Sequence, residues 1–293
     1  METCRCMTFI YFLLKDLKMS VPNVLLFMSV AVAAMSCCIA DETSEEPAKD
    51  ESPAQVAIRN LAKQCVFLPV AEAGTPADSF VLHPEPLLKY GDPTRDIGSS
   101  ALWVWMDGEV PAMFQKIEVN VHQGSNNKWT WCFANASSRK LECAWPEVRP
   151  GSITVNEILT SRIPESPMVK ESAPVSAMAF TARQLSRKFT ARDGDDELRL
   201  LPRPLLEFKA EKQDIPYGAV FGFATGTNPS LLVIVQAEKK NGETIWTYRP
   251  LHMTALTVEL EYDGRKVWQE NGQPPNEVST WGYYFSFREA SIK

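Results

Sequence analysis

The stretches that decide the fold are LHPEPLLKY at 82–90 and LLPRPLLEF at 200–208, which lie 118 positions apart. The match continues without a gap to 113 in the first stretch and to 231 in the second, and ten of the 32 aligned positions are identical. Unrelated pairing gives roughly two identities over this length at average residue usage. The shared positions include Pro, Gly and Asp, which similar strand composition does not align at one fixed offset. The sequence therefore predicts a tandem duplication.

The repeat extends on both sides of this match. Trp129-Thr130-Trp131 aligns with Trp246-Thr247-Tyr248 at an offset of 117, and residues 59–64 resemble 183–188 at an offset of 124. Both upstream segments have the apolar spacing of amphipathic helices. Their apolar stripes consist of Ile58, Leu61, Ala62 and Cys65 in the first copy and of Met178, Ala182, Leu185 and Phe189 in the second. We expect an α+β fold of mainly antiparallel β-sheet, a tandem duplication of a helix-plus-sheet unit of about 120 residues.

The strands are recognised by their apolar patterns. Ile117, Val119 and Val121 alternate with polar residues, which predicts a sheet with one face in water. Residues 231–235 are continuously apolar, which predicts a strand covered on both faces. Asp263-Gly264 is typical of a tight hairpin turn.

These patterns divide the chain into a first helix-plus-sheet repeat at 54–150, a linker at 151–173 and a second helix-plus-sheet repeat at 174–293. The linker is assigned because this stretch is rich in Pro and Ser. The sequence leaves open whether the two repeats share one hydrophobic core or form two separate ones.

The region before the first repeat has the pattern of an export signal. Pro22 to Ala40 carries no charge and contains an apolar run, so residues 1–40 are predicted to be a signal peptide that is cleaved after Ala40. An apolar span of about 20 residues is also long enough for a retained membrane anchor. Lipidation of Cys37 or Cys38 is a further alternative.

Residues 41–53 follow the signal and are acidic, without large apolar side chains. This composition predicts a disordered tether. We therefore expect an exported protein of the periplasm or the cell surface, which contacts a membrane only through its N-terminal segment if that segment is retained. Met19 is an alternative start of the chain.

Three cysteines remain after the predicted signal. Cys132 and Cys143 flank a predicted hairpin, so they could form a disulfide in an oxidising compartment. The alternative is two buried thiols on unrelated faces. Cys65 lies on the apolar stripe of the first helix, which favours a core position over a nucleophile.

Composition argues against several classes of partner and cofactor. The formal net charge is −6 and no Lys/Arg-rich run follows the signal, so nucleic-acid binding is not expected. The sequence has no glycine-rich phosphate-binding motif after a strand, and none of the three histidines has a partner at metal-ligand spacing. We therefore predict no cofactor.

One weak candidate site is a cation site in an acidic run. The run follows the second helix and contains Asp193, Asp195, Asp196 and Glu197. Carboxylates of this kind can bind calcium, but the run lacks the ligand spacing of an EF-hand loop. An acidic turn in solvent is the alternative interpretation.

The second candidate is a set of aromatic pairs. Trp103 and Trp105 are spaced by two residues, as are Trp129 and Trp131, so each pair shares one face of a sheet. Exposed indoles could stack on sugar rings or anchor a protein partner. The alternative is core packing under the helix. The second copy has Phe221 and Phe223 in place of the first pair, which favours packing.

A family resemblance rests on three ordered blocks of the second copy. These blocks are residues 197–205, residues 218–229 and residues 262–268. They resemble an uncharacterised family of exported proteins that is abundant in Planctomycetes, and the resemblance covers roughly residues 80–270. It implies export but brings no activity, cofactor or catalytic residue to this chain.

Three functional hypotheses remain. The first is a non-enzymatic, exported binding module that recognises a protein or glycan of the cell envelope. The alternative is a periplasmic hydrolase with a site at the junction of the two repeats, which requires a cleft with converging polar groups. A structural role in an envelope complex is a third interpretation.

Overall fold

The computed structural model describes residues 51–70, 79–121, 128–144, 153–158, 160–170, 172–272 and 283–289. These residues lie in a compact unit that comprises Glu51–Lys293. They form two α-helices and eighteen strands, and all strand pairs are antiparallel. The predicted class, α+β with mainly antiparallel β-sheet, is confirmed. The predicted signal peptide at 1–40 and most of the tether lie outside the described residues.

The N-terminal half begins with a helix and continues as strands. Its elements are α1 (Pro53–Gln64), β1 (Val66–Pro69), β2 (Val81–Leu82), β3 (Leu88–Asp92), β4 (Ile97–Asp107), β5 (Val110–Asn120), β6 (Lys128–Asn135), β7 (Leu141–Ala144) and β8 (Ile153–Val155). β1, β7 and β8 form a small sheet in the order β1-β7-β8. The central strands run in the order β6-β5-β4-β2, and β3 also pairs with β4. A single 3₁₀ turn joins β3 to β4.

The C-terminal half contains a short strand, a helix and a larger sheet. Its elements are β9 (Ser161–Arg162), α2 (Val175–Ser186), β10 (Phe189–Asp193), β11 (Asp196–Leu200), β12 (Leu206–Ala210), β13 (Ile215–Thr225), β14 (Asn228–Lys240), β15 (Glu243–His252), β16 (Val258–Tyr262), β17 (Arg265–Glu270) and β18 (Tyr283–Glu289). The sheet order is β17-β16-β10-β11-β13-β14-β15-β9, with β12 beside β13. β18 pairs instead with β6. The predicted boundary of the second repeat at 293 therefore includes a strand that belongs to the sheet of the first half.

Local sequence explains both helices. Ser52 caps α1 because its hydroxyl accepts a hydrogen bond from the Gln55 backbone N–H, and the helix then starts at a proline. The predicted tether therefore ends before residue 53. α2 buries the predicted stripe as far as Leu185 but ends at Ser186, so Phe189 opens β10 instead of extending the helix. Within the described part of the chain, neither helix has the length and hydropathy that a membrane span requires.

Three clusters of buried apolar residues hold the layers together. The first lies between α1, the small β1-β7-β8 sheet and one face of β4, β5 and β6. The second lies between α2 and one face of β13, β14 and β15, and β10 and β16 also contribute to it. The third contains residues of both halves, such as Phe114 and Leu251, and lies between the two large sheets. The halves therefore share a core, which the sequence left open.

β14 is covered on both faces, as its continuous apolar run predicts. Leu231, Val233 and Val235 belong to the cluster under α2, whereas Leu232 and Ile234 belong to the cluster between the sheets. The hairpin at Asp263-Gly264 is also confirmed, since it joins β16 to β17 with positive φ at both residues.

The prediction that β5 has one face in water is wrong. Ile117 and Val119 pack under α1 as expected, but Lys116 and Glu118 on the opposite face are only 3% and 4% exposed. That face is covered because it lies against the sheet of the C-terminal half. The alternation of β5 therefore reflects two different buried environments, one apolar and one polar.

The predicted linker at 151–173 is not a simple connection. It contains β8, which pairs with β7, and β9, which pairs with β15. Ile158 and Ile163 within it are buried. The Pro- and Ser-rich composition did not reveal that this stretch adds one strand to the small β1-β7-β8 sheet and one to the sheet of the C-terminal half.

Candidate functional site

The tryptophans proposed as a ligand platform lie in the core. Trp103, Trp105, Trp129 and Trp131 are between 0% and 5% exposed and belong to the cluster under α1. A ring that stacks on a sugar needs an accessible face, so these four residues do not form the predicted platform. The alternative of core packing is the one that the structure supports.

The acidic run does not converge on a cation. Asp193 is buried, whereas Asp195, Asp196 and Glu197 are exposed around the β10–β11 turn. Among the described residues, no group of three or more His, Cys, Asp or Glu side chains has a metal-binding arrangement. The side chains separate because alternate residues of a hairpin point to opposite faces.

The two cysteines proposed as a disulfide lie in different clusters. Cys132 faces the core between the sheets, whereas Cys143 faces the core under α1. Both are free thiols in the structure, as is Cys65. Burial raises the pKa of the Cys65 and Cys132 thiols to about 12, and it also raises that of Cys143. The predicted bridge is therefore absent because β6 and β7 belong to different sheets.

We expect these three thiols to be unreactive in the folded protein and fully reactive after unfolding. The reason is that a thiol must be accessible and deprotonated to attack a disulfide reagent. The measurement is a thiol titration of the purified protein with and without guanidinium chloride. If only one of the three reacts after unfolding under non-reducing conditions, a disulfide has formed and the placement of Cys132 is wrong.

A buried polar cluster joins the halves at one junction. The Lys116 ammonium donates to the Asn228 side-chain oxygen and the Pro229 carbonyl, both at 3.1 Å, and to the carbonyl of Met253. Its distance to the Glu118 carboxylate is 3.5 Å. Glu118 in turn accepts a hydrogen bond from the Tyr90 hydroxyl at 2.7 Å. The Lys116 charge is thus fully occupied by groups within the chain.

A second set of polar contacts between the halves centres on Asp193. Asp193 is fully buried and accepts a hydrogen bond from the Ser230 hydroxyl. Arg95 of the N-terminal half reaches the same carboxylate at 3.6 Å and also lies near Asp92. Asp193 therefore has a structural role in the interface between the halves, which replaces its predicted role in a cation site.

A cleft lies between the halves at the opposite junction. Its volume is about 250 Å³. The N-terminal half lines it with the β4–β5 hairpin and the loop after β6, and the C-terminal half with the middle of β14 and β15. The polar and charged lining residues are Asp107, Ser137, Ser138, Arg139, Thr160, Gln213, Gln236, Glu238 and Arg249. The apolar floor includes Ile234 and Ala136.

Arg249 is the most unusual group of this cleft. Burial lowers the pKa of its guanidinium to about 10, and the nearby Glu238 carboxylate opposes this shift. The buried Nε of Arg249 has no hydrogen-bond partner among the described residues. Arg139 differs because it is about half exposed and forms an ion pair with Asp107 at the mouth of the cleft. Glu238 accepts a weak hydrogen bond from Thr247.

The cleft and the Lys116 site are corresponding places in the two copies of the repeat. The correspondence is found by shifting residue numbers by 118, or by 117 after the loop where one residue is lost. The three residues that accept from Lys116 have Val110, Pro111 and Ala136 as their counterparts, and all three line the cleft. Ile234 stands in place of Lys116 and Gln236 in place of Glu118. The Ile234 side chain is apolar and has no donor for the facing backbone of the other half, as Lys116 has. One junction is therefore filled by a lysine and the other is a cavity.

The sequence did not identify Arg249 or Glu238 as site residues. Arg249 precedes a proline, and neither residue belongs to a motif. The only sequence feature that could have indicated them is a difference between the two copies. Arg249 aligns with Cys132, and Glu238 aligns with Asn120, so each is charged in the second copy only.

Comparison with protein-family models, with curated proteins and with solved structures gives no match to this chain.

Proposed function

We propose that the protein is an exported, non-enzymatic binding module of the cell envelope, whose ligand site is the cleft between its halves. The observation that carries this proposal is that polar side chains from both halves converge on one cleft. The corresponding position at the other junction is filled by Lys116. Binding sites are typically concave, with a few polar groups on a largely preformed surface. One wall consists of the paired strands β14 and β15, which gives this side of the site a fixed backbone.

We also propose that the fold arose by tandem duplication of a unit of about 120 residues. The element order from α1 to β8 recurs from α2 to β17, and corresponding strands have corresponding partners. Both 3₁₀ turns end in an aspartate with left-handed backbone, Asp96 at φ 56° and Asp214 at φ 58°. The two halves also share the hydrogen bond that follows this turn, from Val121 to Asp96 and from Lys239 to Asp214.

Duplication explains how a single cleft can arise from two similar halves. Two related halves that pack face to face form two related junctions. Sequence divergence then filled one junction with Lys116 and left the other open. We propose that the open junction was retained for a ligand, such as a glycan unit or a protein segment of the envelope.

Blocking the mouth of the cleft tests the proposal. Ser138 is exposed and lines the cleft, so Ser138→Trp should exclude ligands without disturbing the core. Ser176→Trp is the matched control because Ser176 is exposed on α2, away from the cleft. The probes are a panel of neutral and acidic monosaccharides and dipeptides, measured by saturation-transfer NMR on the purified protein.

We expect at least one probe to bind saturably to the native protein and to the Ser176→Trp variant, and to lose this binding in the Ser138→Trp variant. Equal binding to both variants would place the ligand elsewhere. A complete lack of saturable binding across the panel would contradict a small-ligand site in the cleft.

A hydrolytic site in the same cleft is the second candidate. It is favoured by the presence of two carboxylates, Asp107 and Glu238, in the lining. Pairs of carboxylates can act as general acid and base. Turnover of glycosidic, ester or peptide probes that is lost in Glu238→Gln would favour this candidate over the binding module.

A further inference from the structure

Building on the proposed function, we propose that the cleft recognises a carboxylate group and that the guanidinium of Arg249 is its anchor. The ligand would be a single carboxylate-bearing unit, either an acidic sugar or the C-terminal residue of a peptide. The two sources share the same chemistry, and the experiment below separates them.

Two arginines line the cleft, Arg139 and Arg249, and Arg249 is the one available to an anion. The Arg139 guanidinium is already engaged by Asp107. Arg249 forms no close ion pair among the described residues, although the Glu238 carboxylate acts on it at longer range, and its Nε lacks a hydrogen-bond partner. An unpartnered buried donor is costly, and a charged one more so. The buried Nε is closed to a ligand, so a carboxylate in the cleft would reach the guanidinium through its Nη atoms and would compensate its charge there.

The geometry of arginine suits a carboxylate. Its planar fork of N–H donors matches the two oxygens of a carboxylate, and such bidentate pairs are among the strongest hydrogen bonds in proteins. Gln236 lies on the same face of the sheet, and Gln213 and Thr160 also line the cleft. These neutral groups can bind the hydroxyl or amide groups that accompany the carboxylate.

The two junctions show why Arg249 differs from an ordinary interface charge. Lys116 at the filled junction has three oxygen partners and a nearby carboxylate, all within the chain. Arg249 lies beside the cavity at the other junction without an equivalent set. A charge that only held the halves together would be expected to have partners, as Lys116 does.

The size of the cleft limits the ligand. A volume of about 250 Å³ is below the roughly 300–1,000 Å³ of clefts that enclose drug-sized molecules. One sugar ring or one amino-acid residue is the appropriate scale. A longer glycan or peptide would insert only its terminal unit.

The experiment is calorimetric titration of the purified protein with two matched pairs of probes. Glucuronate is compared with glucose, and N-acetyl-alanyl-alanine with its C-terminal amide. We expect one acid to bind at least tenfold more tightly than its neutral partner. Binding of glucuronate alone indicates a glycan ligand, and binding of the dipeptide acid alone indicates a peptide terminus. Equal binding of acid and neutral partner would overturn the proposal.

Arg249 is tested with two variants and a control. We expect Arg249→Gln to abolish binding of the acid and Arg249→Lys to weaken it at least tenfold, because an ammonium cannot form the bidentate pair. Arg183→Gln is the control and should change the affinity less than threefold, because this arginine lies on α2 outside the cleft and pairs with Glu207. Thermal unfolding of each variant shows whether it is folded, and Arg249→Lys keeps the charge if Arg249→Gln is unstable.

The outcomes separate this inference from the proposed function. If a probe binds in the cleft, as shown by its loss in Ser138→Trp, but binds equally to both Arg249 variants, the binding module stands and the carboxylate anchor is wrong. If no acid or neutral probe binds at all, both proposals fail.

Discussion

Replacing Lys116 by isoleucine is expected to lower the free energy of unfolding by about 3–5 kcal/mol, which is the usual cost of removing one partner of a buried ion pair. The change leaves Glu118 as an uncompensated buried charge, and it leaves the carbonyls of Pro229 and Met253 without their donor. The measurement is equilibrium unfolding of the purified variant in urea, compared with the native protein.

The double variant Lys116→Ile/Glu118→Gln is the matched control. It places in the first half the residues that the second half carries at the corresponding positions, Ile234 and Gln236. Because it removes the orphaned charge, we expect it to be more stable than the single variant. A single variant that loses less than about 1 kcal/mol would show that the Lys116 cluster does not hold the halves together.

Replacing Trp131 by alanine is expected to cost about 3–5 kcal/mol of unfolding free energy, as is typical for a large aromatic residue in a core. Trp131 is fully buried beside Phe133 and packs in the cluster under α1. The measurement is again urea unfolding, together with binding of the probe that the native protein binds best. The folded fraction of the variant should bind that probe with unchanged affinity, because the cleft is on the other side of the sheet.

Trp103→Phe provides the control for this prediction. The second half carries Phe221 at the corresponding position, and the indole N–H of Trp103 is buried without a partner among the described residues. Removing that donor offsets part of the lost apolar contact, so we expect a cost below about 1.5 kcal/mol. A Trp131→Ala variant that stays stable but no longer binds the probe would restore the tryptophans as the ligand platform.

Local patterns predicted the elements whose environment is set by their own sequence. The continuous apolar run of β14 indicated a strand covered on both faces, and the stripe of α2 indicated which face it buries. The Asp-Gly hairpin was legible because only a few residues tolerate positive φ. In each case a short segment contains the whole physical reason.

The errors concern surfaces whose environment is set by a distant part of the chain. The polar face of β5 looked solvated because Glu118 is charged, yet the C-terminal half covers it and provides oxygen partners for Lys116. The same burial explains why the alternation of the tryptophan pairs could not distinguish a surface from a core. Alternation reports that two faces differ, but not what lies against each face.

The candidate site could not be predicted from any motif. Its lining comes from the β4–β5 hairpin, the loop after β6 and the middle of β14 and β15, which are far apart in the sequence. Arg249 is significant because it lines the cleft and its buried Nε has no hydrogen-bond partner among the described residues. The repeat did point to the junction of the halves as a place for function, since the polar residues there differ between the copies.

The most direct test of the account is an NMR titration of the Arg249 side chain with whichever acidic probe binds in the calorimetric experiment. The Nε–H resonance is assigned by its loss in the Arg249→Lys variant. We predict that this resonance shifts saturably, with the same affinity that calorimetry gives, while the side-chain resonance of Arg95 stays unchanged. An unchanged Arg249 resonance at saturating probe would contradict the account, because the carboxylate would then be bound elsewhere.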